Sequence, residues 1–240
     1  MSEISQDKVS FINNLSEIIY TQENAERAHE YLNKRCIDAV RLRYPWVITG
    51  RDIKLFKIFD TDYFDKKYPP YIFTESLYIP ITDIVDPTKL IGFDVRYIGV
   101  DDKRLRFHKF KRFEDDIMFY YTKPIFELDK NEPIIITEGA IDAESVAQFG
   151  YSTLSPLTAY SNLRFLLFLF SLTSRVYFMY DNDSTGKRAL EKIMKQVDIN
   201  DQIRNCFHTI PYTGKDPNQT LCTLGRDYMG YMIKSQINIG

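Results

Sequence analysis

The chain has 240 residues and is poor in the features that classify a protein quickly. It holds three cysteines, Cys36, Cys206 and Cys222, far apart and with no C-x-x-C pair. That spacing argues against a disulfide framework and a zinc ribbon, and points to the reduced thiols of a cytoplasmic protein. Excess charge is also lacking: 31 Lys and Arg stand against 33 Asp and Glu, for a formal net charge of -2. No global basic signature marks the chain for nucleic acid, so any such contact has to come from a local patch. There is no long hydrophobic run. The longest, Phe165 to Phe170, falls far short of the ~20 apolar residues of a membrane span, so no membrane partner is expected. The opening MSEISQDKVS lacks the basic start and apolar centre of a signal peptide. No internal repeat or low-complexity tract is found.

What is present supports a real core: 44% hydrophobic residues, with 17 Tyr and 17 Phe. Residues 5 to 45 read as helical, with Phe11, Leu15, Ile18, Ala28, Leu32, Cys36 and Ala39 near helical spacing. Asp52 to Asp60 is a short mixed segment, and Lys66-Lys67-Tyr68-Pro69-Pro70 is a break. From Leu77 the period changes. Leu77 to Ile81 and Leu90 to Tyr97 predict two antiparallel strands with Asp86-Pro87-Thr88 in the turn. Lys103 to Arg112 predicts a further strand. Beyond Pro133, strand and helix alternate. Strand 134–137 leads to helix 141–149, which stops at Gly150. Helix 162–172 follows, with Ser161 as its cap, then strand 176–180, helix 187–197 and strand 206–210. This alternation argues for an α/β fold, a mostly parallel sheet covered by helices. An α+β N-terminal part precedes it. The expected divisions are a helical region at 1–70, a mixed α/β subdomain at 71–130, the parallel-sheet domain at 131–220, and a short C-terminal helix or tail at 221–240.

The chemistry lies where the apolar strands stop. IIITEGAIDA ends a β-branched run at Glu138 and places Asp142 about one turn into the next helix. VYFMYDNDSTG ends a second run at Asp181 and Asp183. In extended backbone the period of 2 points both of these carboxylates to one side. Asp216-Pro217-Asn218 adds a third acidic loop. Open α/β sheets hold their ligands outside the carboxyl ends of such strands. Five acids from three loops, without His or Cys among them, fit Mg²⁺ or Mn²⁺ rather than zinc. Gly139 leaves room for a tight turn. Lys187, at the start of a helix after Gly186, either neutralises a phosphate or is plain helix surface.

Glu-Gly-x-x-Asp followed by Asp-x-Asp-x-x-Gly-Lys and Asp-Pro-Asn resembles the Toprim fold of primases, type IA and II topoisomerases and some nucleases. TEGAIDAESVAQFGY, YDNDSTGKRAL and GKDPN are most similar to the motifs of bacterial-type (DnaG-like) primases in a minimal, phage-like form. LYIPITDIVDPTKLIGFDVRYIG resembles the strand pair of the primase N-terminal subdomain, so the likeness covers roughly residues 75 to 220. It implies metal binding by Glu138, Asp181 and Asp183, a site completed by Asp142 and Asp216, and an Arg96 that faces nucleotide and template. The implied reaction is attack of a ribonucleotide 3′-hydroxyl on the α-phosphate of an incoming nucleoside triphosphate. This sequence departs from the family pattern in four places: Asn218 stands for a second Asp, Ser76 and Thr82 stand for basic residues, and Leu157 stands for a common Gly. Neither the family's zinc-binding domain nor its helicase-contact domain is expected here.

KRLRFHKFKR, from Lys103 to Arg112, interleaves basic side chains with aromatics, a pattern that suits a single strand. The competing reading is a charged edge strand protected from aggregation. Arg106 and Lys109 are the first choices here, beside Arg96, for nucleotide or template contact. The expectation is an enzyme, a DNA-directed RNA polymerase of the primase type, that makes short RNA primers on single-stranded DNA. Its partners would be that template, ribonucleoside triphosphates, and a replicative helicase or a separate template-recognition (zinc) protein. The alternatives are a Toprim nuclease and a non-catalytic regulator of replication or transcription.

Overall fold

A computed structural model describes residues 13, 16–17, 19–49, 75–99, 107–111, 118–159, 162–198 and 201–238. The expected segments at 52–60 and 66–70, Arg106 and Ser161 lie outside them, as does most of the first helical stretch. Two compact units divide the chain. The first holds residues up to Leu32, Leu42–Asp83 and Thr88–Met118; the second holds Asn33–Arg41, Ile84–Pro87 and the chain from Phe119 onward.

The first unit contains helix α1 (Gln22–Asn33, whose last residue passes to the second unit) and a four-stranded sheet: β1 (Val47–Thr49), β2 (Ser76–Thr82), β3 (Leu90–Tyr97) and β4 (Phe107–Lys111). The strands run in the order β1-β2-β3-β4, all antiparallel. Both strands expected between Leu77 and Tyr97 are present, and β4 supplies the described part of the third. Every residue of β2 is buried, and Phe93, Val95 and Trp46 are fully enclosed. Ser76 and Thr82 are therefore interior strand positions, where a long basic side chain would have to shed its water.

The second unit is a three-layer sandwich. Its sheet has the order β5-β7-β6-β8-β9, with β5 (Tyr120–Tyr121), β6 (Ile134–Ile136), β7 (Ser152–Ser155), β8 (Val176–Phe178) and β9 (Phe207–Thr209). Four of these strands are mutually parallel, and β5 runs antiparallel at the edge. Helices α2 (Ala140–Ala147), α3 (Leu163–Leu172), α4 (Ser184–Val197), α5 (Asp201–Arg204) and α6 (Pro217–Ile237) complete it. The pleat sorts the core. Ile134, Ile136, Val176 and Phe178 point to one face and meet α3 and α4 through Phe165, Leu169 and Ile193. Ile135 and Tyr177 point to the other and meet α2 and α6 through Val146, Leu221 and Ile233. Burial on both faces is why these short strands read as unbroken apolar runs rather than as alternation.

Helix boundaries differ from the sequence expectation where capping decides them. Helix α3 is capped by Asn162, whose side chain accepts the Phe165 N–H at 2.9 Å. Helix α4 starts at Ser184, three residues earlier than its apolar pattern suggests, because Asp183 caps it. Helix α6 is longer than a tail, 21 residues from Pro217, with a break at Gly225 (φ 85°). Among the described residues, no helix is long and apolar enough to cross a membrane.

Candidate active site

The chain leaves β6 to one side, to β7, and then crosses to the other, to β8. The strand order therefore reverses at β6, and the carboxyl ends of β6 and β8 bound the crevice where open α/β sheets bind ligands. Glu138 lies two residues beyond β6, and Asp181 lies three beyond β8. Asp142 sits in the first turn of α2 and Asp216 is the cap of α6. All five acids thus belong to the second unit.

Four of the five acids are oriented by a backbone donor. The Asp181 N–H donates to Glu138 Oε1 at 3.0 Å. The Asn218 N–H donates to Asp142 Oδ1 at 3.0 Å. Asp183 Oδ1 accepts from the N–H groups of Thr185 and Gly186 at 2.8 and 3.0 Å, and Asp216 Oδ1 accepts from Gln219 at 2.7 Å. Asp183 and Asp216 are thus both helix caps, each through one oxygen. The strand argument for Asp181-x-Asp183 does not describe the geometry, because β8 ends at Phe178 and Asp183 turns out to its own helix.

The acids nonetheless share one field. Burial pushes the Asp142 carboxyl up to about 8, with Asp216 and Asp181 adding repulsion. Burial and then Asp181 push Glu138 up to about 7; burial and then Asp216 push Asp181 up to about 6. Lys215 opposes this, holding Asp216 Oδ2 at 3.8 Å and drawing Glu138 and Asp181 down. Two glycines permit the approach. A Cβ on Gly186 would lie 2.1 Å from the Asp181 carbonyl oxygen and 2.6 Å from Glu138 Oε1. A Cβ on Gly139 would meet Asp142 Oδ2 at 3.3 Å. Gly139 itself is in ordinary extended backbone, so space rather than a tight turn explains it.

Do these residues fit a divalent cation? Among the described residues, no three acidic, His or Cys side chains already converge as a cage. Four of these carboxylates turn one oxygen to a nearby backbone N–H. The fit lies in what is left over. Asp181 Oδ1 is buried and has no hydrogen-bond partner among the described residues, which is costly unless a cation or proton satisfies it. The donors are all carboxylate oxygens, which suit a hard cation.

Sequence reasoning missed several residues that hold the crevice together. Asn182 donates through Nδ2 to the carbonyls of Tyr212 (3.0 Å) and Gly214 (2.8 Å), and its N–H donates to the Lys215 carbonyl at 2.8 Å. The Tyr212 hydroxyl donates to the Tyr180 carbonyl at 2.8 Å. These bonds lash the Asp216 loop to the Asp181 loop. Asn218 is buried and does not take the role of a second acid. Its Nδ2 donates to the Arg35 carbonyl (2.8 Å) and to Ser145 Oγ (2.9 Å), and its Oδ1 accepts from the Arg35 guanidinium (3.1 Å). Leu157, at the family's glycine position, has φ 58°, the left-handed region that favours glycine. Lys187 is exposed in the first turn of α4.

Arg96 and Lys109 lie in the first unit. Arg96 is half-buried on β3, and Lys109 stands opposite Asp94 in the β3–β4 register. Asp94 is the acid that the sequence reading passed over. Burial pushes its carboxyl up to about 6 against the pull of Lys109 and Arg96. Its signal was visible: one acid in the buried run from Ile91 to Val95.

The architecture is that of a Toprim domain joined to an antiparallel subdomain, and residues 135–221 match the Toprim-like family. The whole described fold is that of DnaG primase catalytic cores. A DnaG primase catalytic domain bound to ssDNA is similar at TM-score 0.70 and 18% identity, over 98% of this chain and 83% of that one. The Escherichia coli primase catalytic core gives 0.69 and 18%, over 96% and 79%. The Aquifex aeolicus primase, comprising zinc-binding and RNA polymerase domains, gives 0.65 and 20% over 98% of this chain, which spans 62% of that protein. No curated protein sequence matches the chain.

Proposed function

We propose that the chain is a primase core that synthesises short RNA primers on single-stranded DNA by divalent-cation-dependent nucleotidyl transfer. One observation carries this reading. The carboxyls of Glu138, Asp142, Asp181, Asp183 and Asp216 act on one another electrostatically beside the switch point of a sheet, in a fold similar to that of primase catalytic cores. Glu138, Asp181 and Asp183 would hold Mg²⁺ or Mn²⁺, with Asp142 and Asp216 completing the acidic wall. A cation bound there supplies positive charge to the triphosphate and makes the attacking 3′-hydroxyl more acidic.

The chain's own residues do the rest. Asn182 and Tyr212 fix the Asp216 loop against the Asp181 loop, so the acids are positioned before substrate arrives. Lys215, beside Asp216, and the exposed Lys187 would offer charge to phosphates. Arg96, Arg106 and Lys109 serve nucleotide or template on the antiparallel subdomain. A replicative helicase and a separate template-recognition protein are the further partners proposed.

The deciding experiment supplies single-stranded DNA, ribonucleoside triphosphates and Mg²⁺ or Mn²⁺. Short RNA products are expected, and Glu138→Gln or Asp181→Asn should abolish them. Shortening of the DNA without nucleotides would instead identify a nuclease, and no product at all, with the biological activity left intact by both substitutions, would identify a non-catalytic module. Reversing charge at Arg106 and Lys109 should weaken single-strand binding and flatten its salt dependence; unchanged binding would refute the basic patch.

A further inference from the structure

Three cysteines are scattered through 240 residues, yet two of them lie on segments that hydrogen bonds hold together. Cys36 follows Arg35, whose carbonyl is held by the Asn218 side chain at 2.8 Å and whose guanidinium reaches back to the same side chain at 3.1 Å. Cys222 lies one helical turn beyond Asn218 on α6, hence on the same face. The double hydrogen bond that joins Arg35 to Asn218 therefore brings the next residue of one segment to the next turn of the other. Cys36 lies near enough to Cys222 to add to burial in raising the Cys222 thiol. Both cysteines are exposed, whereas Cys206 is buried in the sheet core. The Cys36 backbone is pinned from both sides. Its N–H donates to the Asn33 carbonyl at 3.0 Å, and its carbonyl accepts from Gln148 Nε2 at 3.1 Å. It is held at φ 59°, a left-handed conformation uncommon for a residue with a side chain.

We infer that Cys36 and Cys222 form a peroxide-sensitive dithiol that closes to an intramolecular disulfide between the 33–41 segment and α6. The step balances with hydrogen peroxide as oxidant. The Cys36 thiolate attacks a peroxide oxygen, the O–O bond breaks, and the departing hydroxide takes up a proton to become water. Cys36 is then a sulfenic acid. The Cys222 sulfur, losing its proton as it attacks, displaces that hydroxyl as a second water, and the S–S bond forms at ~2.05 Å. Two thiols are oxidised and one peroxide is reduced.

The bridge would have a consequence for the acids. It would close one turn from Asn218, the residue whose N–H orients Asp142. Oxidation would thereby lock the start of α6, which carries Asp216, to the 33–41 segment. That consequence rests on reading the acids as the catalytic site; formation of the bridge does not.

The test treats the reduced full-length protein with stoichiometric hydrogen peroxide and counts free thiols after denaturation. The count should fall from three to one, the intact mass should fall by two hydrogens, and dithiothreitol should reverse both. Peptide mapping should recover one cross-link, joining the peptides that carry Cys36 and Cys222. Cys36→Ser or Cys222→Ser should each abolish it, while Cys206→Ser should leave it intact. Separate oxygen adducts on the two exposed thiols, or cross-links only between two chains on a non-reducing gel, would overturn the inference. If the bridge forms but the oxidised protein makes primers at the unmodified rate, the dithiol stands and only its link to the acid site falls.

Discussion

Replacing Asp142 by Asn should stabilise the cation-free protein, and by an amount that depends on pH. The Asp142 carboxyl is pushed from an ordinary 3.8 to about 8, by burial first and then by Asp216. The unfolded chain releases this proton near pH 4 and the folded chain near pH 8. Between those values the folded state holds the extra proton, so stability falls as pH rises across that window and is flat on either side. At pH 7 the chain sits about three pH units above the unfolded value, and each unit is worth about 1.4 kcal/mol. The ceiling is therefore about 4 kcal/mol, and relaxation and water entry reduce it to about 2–4 kcal/mol. Asn escapes the penalty because it carries no charge in either state, and its Oδ1 can still accept the Asn218 N–H. For a chain of this length the melting temperature should rise by roughly 5–15 °C at pH 7 in EDTA. The assay is thermal unfolding of both proteins from pH 4 to pH 9. The two curves should coincide at pH 4 and separate up to pH 8. Mg²⁺ should narrow the gap by stabilising the wild type more. Parallel curves, or an Asn variant less stable at pH 8, would refute the premise that this carboxylate is held against its own field.

Three further substitutions probe the scaffold. Gly186→Ala drives a Cβ to within 2.1 Å of the Asp181 carbonyl oxygen; overpacking of this kind costs about 1–3 kcal/mol, so the variant should melt lower and lose its Mg²⁺-dependent shift. Asn218→Asp removes the donor to the Arg35 carbonyl and to Ser145. Urea unfolding should show a loss of about 1–3 kcal/mol, and an unchanged midpoint would deny Asn218 its role as a strut. Asp94→Asn should match the wild type at pH 4 and exceed it above pH 6, by up to about 2 kcal/mol in urea unfolding. That follows because burial raises the Asp94 carboxyl to about 6, so its cost accrues between pH 4 and pH 6. A less stable Asn variant at pH 7 would show that Asp94 works as a paired ion with Lys109.

The parallel sheet was legible because its signals are local. A buried parallel strand is a short β-branched run, a helix is a 3.6-residue period, and the acids interrupt both at fixed offsets. Caps were harder to read. Ser161 and Asn162 are both good cap residues, and only the geometry shows that the Asn162 side chain takes the Phe165 N–H. The start of α4 was hidden because Ser184, Thr185 and Gly186 carry no apolar period, while the Asp183 cap needs none. The strut between Arg35 and Asn218 was beyond reach, since 183 residues separate its ends and neither residue type announces a partner. Likewise, Asp181 and Asp216 could be read as neighbours only in outline. Their coupling depends on Asn182 lashing two loops together through backbone carbonyls, which carry no trace in sequence. The left-handed backbone at Leu157 had no local signal beyond a family habit.

The short stretch Asn33–Arg41 belongs with the acidic unit although its flanks belong to the other. A gene fragment beginning at Phe119 would keep every carboxylate and the whole parallel sheet, yet it would not be the same domain. It would leave the Asn218 amide without the Arg35 carbonyl, and the Gln148 amide without the Cys36 carbonyl and the Asp38 N–H. The second unit is therefore discontinuous in sequence. Dissecting it calls for circular permutation or for supplying residues 33–41 in trans, not for a single cut.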